Sequence, residues 1–103
     1  MFLLVLAAVV TSASQPSGSE GCVYSTARAL EPSGEPARDV AAAVAAECDI
    51  RKGAPADSLA GQMSEANAQA YRRLDEEFAI VFVMRLRACR RTPGCNLAEV
   101  RAP

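Results

Sequence analysis

The amino-acid sequence predicts an all-α protein: a small three-helix domain, made of a short helix, an αα-hairpin and a long C-terminal helix, stapled by two disulfides. Three observations lead there. Apolar residues recur at helical spacing over residues 36–50 and again from about 58 to 91. Only FAIVFVM (78–84) has the β-branched and aromatic content of a buried strand, and a lone strand has no ladder for its backbone groups. The four cysteines, Cys22, Cys48, Cys89 and Cys95, form an even set in a chain of 103 residues.

The first helix is expected over CVYSTARALE (22–31), and EPSGEP (31–36) breaks it with two prolines and a glycine. Pro36 then suits a first helical turn, and Glu35 and Asp39 complement the positive end of the helix dipole. Over 36–50, Ala37, Val40, Ala41, Val44 and Cys48 fall on one face. Arg51, Lys52 and Gly53 close that helix with positive charge followed by glycine. GAPAD (53–57) reads as a turn, with Asp57 or Ser58 as the cap of the long helix. At 100° per residue, Met63, Asn67, Ala70, Tyr71, Leu74, Phe78, Val81, Phe82, Arg85 and Cys89 share a broad face of it. Arg72–Glu76 and Arg73–Glu77, at i,i+4, then belong to a solvated side. Pro93 stops the helix and Gly94 permits the reversal to Cys95.

Residues 1–14 have the form of a signal peptide. Residues 2–10, FLLVLAAVV, are an unbroken apolar run, and the small residues Thr11, Ser12, Ala13 and Ser14 follow as a cleavage zone. Such a run is too short to span a bilayer, which takes about 20 residues. No Lys or Arg precedes it, so the positive charge of the leader comes from the amino terminus alone or from an upstream start. The remaining domains are a flexible N-terminus at 15–21, the helical domain at 22–95 and a C-terminal tail at 96–103. Cleavage leaves no stable membrane span, and the expected location is the periplasm or the extracellular medium.

Four cysteines in a short exported chain read as disulfides, since the close pair Cys89-x5-Cys95 lacks the C-x-x-C spacing of zinc and thioredoxin-like sites. Three connectivities exist. In an antiparallel hairpin of 22–31 and 36–50, Cys22 and Cys48 come level at the open end, at about 1.5 Å rise per residue. That favours Cys22–Cys48 and Cys89–Cys95. A Cys48–Cys89 bond is disfavoured, because Cys89 would lie roughly 35–40 Å along the third helix by the same rise.

Composition excludes several function classes. There is no His, so neither a Ser/His/Asp nor a Cys/His centre is available. A net charge of -1 removes the usual argument for nucleic acid as a partner. Adjacent acids such as Asp75, Glu76 and Glu77 point in different directions on a helix, and no glycine-rich phosphate loop occurs. The expectation is no catalytic, cofactor-binding or metal-binding residues and no cofactor: the chain is not an enzyme, and a small hydrolase ranks last among its readings.

A binding role ranks first. A hairpin partner of about 15 residues covers the third helix only as far as about residue 77, by the rise per residue, so FAIVFVM would overhang the fold. Phe78, Val81, Phe82 and Arg85 are therefore candidates for an interface with a protein partner or a second copy in a homodimer, weighed evenly against burial of the same run inside the fold. An inhibitor-like or immunity-like role fits this, and a holdase or apolar-ligand carrier is the alternative. Arg85, Arg87, Arg90 and Arg91 contain no acid among them and read chiefly as complementing the negative end of the long helix. Tyr24 and Tyr71 are rim or core residues before they are partner anchors.

The phrase ALEPSGEPARDVAAAVAAEC, with an Ala/Arg-rich helix ending in RACRR, resembles small exported four-cysteine helical proteins of Gram-negative bacteria that have no assigned function. The resemblance implies a periplasmic location and no mechanism. In size and helical content alone, the chain is similar to periplasmic acid-stress chaperones of the HdeA type and to secreted helical immunity proteins.

Overall fold

Val23, Ala27 and Leu30 repeat at i, i+4 and i+7, which puts them on one side of a helix, and Tyr24 and Cys22 flank them. In the computed structural model, which describes residues 19–102, this helix is α1, Ser19–Leu30. It starts inside the segment expected to be flexible. The leader expected at 1–14 lies outside the described residues. After Leu30 the chain tightens into a 3-10 turn, Glu31–Ser33, and reverses at Gly34 with φ +80°, a conformation that favours glycine. Pro36 then precedes α2, Ala37–Glu47, and its carbonyl accepts from the Asp39 and Val40 amides.

The α2 face matches its periodicity: Val40, Ala41, Val44, Ala45 and Cys48 are buried, and Ala37 packs at the edge of the core. The third helix, α3, is Glu65–Arg90. It begins well after the expected start near 57, and its cap is Ser64, whose hydroxyl accepts from the Asn67 amide, rather than Asp57 or Ser58. The residues before it form a chain of turns in which Leu59 is 92% exposed, so the segment gains no burial from that side chain. At Gly61 a Cβ atom would lie 2.0 Å from the Pro55 carbonyl oxygen, so this turn requires glycine.

Among the described residues the fold is all-helical, with no strand, and FAIVFVM lies within α3. Its two disulfides are Cys22–Cys48 and Cys89–Cys95, the pairing expected from hairpin geometry. The first joins the start of α1 to the end of α2 across 26 residues; the second folds the chain after α3 back onto its last turn. Phe82, Leu86, Val23, Val44 and Val83 are the largest fully buried side chains. Each contributes about 1.5–3 kcal/mol by burial, so this small core leans on residues 82–86.

The overhang expected for FAIVFVM does not occur. Asp49, just past α2, pairs with Arg72 at 2.8 Å, so the end of α2 is level with a point about two turns into α3 and not with its start. The long connection after Cys48 lets α3 slide by that amount relative to a tightly joined hairpin. α2 and α1 then lie beside Ala79, Phe82, Val83 and Leu86, all buried. The expected C-terminal tail is also held in part: the Arg28 guanidinium donates to the carbonyls of Leu97 (2.7 Å) and Val100, and both side chains pack against the core.

Candidate partner-binding face

The side of α3 that meets α1 and α2 carries Ala68, Asp75, Ala79, Phe82, Val83, Leu86 and Cys89, all buried. The expected face shares Phe82 and Cys89 with it, but is centred instead on Tyr71, Leu74, Phe78 and Val81. The two stripes differ by one residue, a rotation of about 100°. A small side chain where α2 passes favours this choice. Ala79, fully buried in the same cluster as Val40, Ala41 and Val44, lets α3 approach α2 closely, which Phe78 in the same place would prevent.

Phe82, expected at a partner surface, is therefore a core residue at 1% exposure. The Tyr24 ring meets it edge-on at 5.1 Å, and the Arg28 guanidinium lies over its face at the same distance. Tyr24 accordingly packs against the core as well, while Tyr71 is at the surface.

What remains outside is a second apolar stripe. Tyr71, Leu74, Phe78 and Val81 are 42%, 49%, 46% and 41% exposed, and Met84 beside them is 58% exposed. Their spacing of three, four and three residues keeps them in line, and Arg85 continues the line four residues on. The structure thus brings Phe78, Val81 and Arg85 together on the surface and removes Phe82 from the set. Leu74 is the member that sequence reasoning misses as an interface candidate, while Tyr71 ranks there as rim or core first and Met84 belongs to FAIVFVM without being singled out. The 3–4 spacing that Tyr71 and Leu74 share with Phe78 and Val81 is their signal in the sequence, where it points equally well to a core face.

The charged groups around this helix mostly serve the fold. Glu31 is buried and accepts from Arg90 Nε at 2.8 and 2.9 Å, while Arg87 Nε lies 3.6 Å from it. Arg87 and Arg90 are thus committed to a carboxylate on the α1–α2 turn, a more specific role than complementing the helix dipole. At the opposite end, Arg72 bridges Asp49 and Glu65, and Arg51 also reaches Glu65 at 3.0 Å. Arg72 therefore pairs across the fold and not with Glu76. The Arg51 backbone amide and the Arg72 guanidinium hold the Asp49 carboxyl below its ordinary range. Arg72, and then Arg51, do the same for Glu65.

Arg85 makes no ion pair among the described residues; its guanidinium lies 3.5 Å from the Arg101 carbonyl. Also among the described residues, no group of three or more His, Cys, Asp or Glu is placed to hold a metal ion, and no helix is long and apolar enough to cross a membrane. No family model matches this chain, and no curated protein or solved structure is detectably similar to it.

Proposed function

We propose that this chain is an exported, non-enzymatic binding protein whose contact surface is the outer stripe of α3, Tyr71, Leu74, Phe78 and Val81 with Met84. The observation that carries this reading is the exposure of an in-line apolar stripe on a helix whose neighbouring side already forms the core. Contiguous apolar surface of this kind on a small protein marks an interaction site. Two disulfides support an oxidising compartment as its place of work, since such bonds persist there and are reduced in the cytosol. The apolar run at residues 2–10 supplies the leader that would take it to the periplasm or the medium.

The test compares the oxidised protein with Phe78→Glu, which places a charge on the stripe and leaves the core untouched. Association is read in two ways: mass by light scattering, and capture of proteins from a periplasmic extract. Loss of either association in a folded Phe78→Glu protein supports the reading. Identical mass and identical captured proteins for the two chains overturn it. Strong fluorescence of a hydrophobic dye on the native protein, abolished by the same change, would assign the stripe to a holdase or apolar-ligand carrier in place of a specific partner.

A further inference from the structure

The stripe has a spacing and a charge pattern that together choose an occupant. Tyr71, Leu74, Phe78, Val81, Arg85 and Ala88 alternate steps of three and four residues, the seam by which one helix packs along another. Glu77 and Met84 border this seam on one side, and both are exposed. The other border is occupied by the protein's own core through Asp75 and Phe82. A partner helix therefore reaches the seam only from the side of Glu77 and Met84.

We infer that the occupant is a second copy of this chain, with the two α3 helices antiparallel and Phe78 of each facing Val81 of the other. This rests on the reading of the stripe as a contact surface. Charge decides the orientation. A parallel pair would set Arg85 against Arg85 between Val81 and Ala88 of the seam, where like charges repel.

Charge also decides the register of the antiparallel pair. Sliding it by one heptad, so that Phe78 faces Leu74, brings the two Glu77 carboxylates nearly level. Sliding it the other way, so that Phe78 faces Ala88, leaves the two Arg85 side chains within about one turn of each other. With Phe78 facing Val81, Arg85 instead lies level with Leu74 of the second copy and within about one turn of its Glu77, by the rise per residue. The arginine stem can then cover Leu74 while its guanidinium reaches that carboxylate. In the same register the bulky Tyr71 meets the small Ala88. The twofold axis makes each of these contacts twice.

The test is sedimentation or light scattering of the oxidised full chain over a dilution series, with Arg85→Glu, Glu77→Arg and the double variant. The expected result is a dimer that each single reversal weakens by at least about tenfold, as for a close interfacial charge pair. The double variant restores the wild-type affinity. Both sites are exposed, and circular dichroism checks that each variant remains folded. A dimer that the single reversals leave unchanged, or that the double variant fails to rescue, overturns the antiparallel register. A monomer at every concentration overturns the second copy as occupant, while the capture experiment with Phe78→Glu still decides separately whether the stripe is a contact surface.

Discussion

Along α3, the stripe through Ala68, Ala79, Phe82, Val83 and Leu86 and the stripe through Tyr71, Leu74, Phe78 and Val81 are one residue apart in register, and only the first is covered. Both are apolar and both are helically spaced. They differ in where their bulk lies: the covered stripe has the small Ala79 where α2 passes and its large residues at 82–86, whereas the open one carries bulk in every turn. Apolar content therefore does not decide which side of a helix becomes core. Fit to the neighbouring helices does, because interiors are close-packed and a stripe of large residues holds small-residue helices apart.

The largest effect expected from this difference comes from truncating one phenylalanine on each stripe. Phe82→Ala should cost about 3–5 kcal/mol, since it opens a cavity in the core that Val23, Val44, Val83 and Leu86 share with it. Phe78→Ala should stay within about 0.5 kcal/mol in the monomer, as surface changes usually do. Urea unfolding of dilute protein measures both, and equal losses would break the distinction between the two stripes.

Next in size are the disulfides that hold the cover over the inner stripe. Cys22–Cys48 ties α1 to α2 across 26 residues, and Cys89–Cys95 closes only 6. Replacing a pair by serines should cost more for the first, by about 1 kcal/mol if loop-closure entropy dominates. Comparing the midpoints of unfolding of the two double variants checks the order.

The smallest effect concerns the end of the inner stripe, where Asp49 sets the register of α2 on α3 through Arg72. Its carboxyl is held below the ordinary range by the Arg51 amide and by Arg72. The lowered value in the folded state means that this contribution is fully present above the ordinary carboxyl range, near pH 4, and is lost as the pH falls through the folded value. Stability of the wild type should therefore drop more steeply below about pH 4 than that of Asp49→Asn. Parallel acid-unfolding curves would remove Asp49 from the set of residues that fix the register.

Local chemistry is enough for much of this protein. Helical spacing and the break between Pro32 and Pro36 are properties of neighbouring residues, so the existence of the three helices is legible in the sequence, as is the buried face of α2. The pairing of Cys22 with Cys48 also follows, because a hairpin of known rise brings those positions level. Three features depend on contacts across the fold. Asp57, Ser58 and Ser64 are all competent caps, and the start of α3 at Glu65 depends on whether the residues between them find apolar surface to cover; Leu59 finds none. The slide of α3 along α2 depends on a long connection and on the Asp49–Arg72 pair, 23 residues apart in sequence. The choice of inner stripe depends on the shapes of α1 and α2. Periodicity determines that a helix has an apolar side; where two such sides exist, only the packing of the other helices decides which one stays exposed.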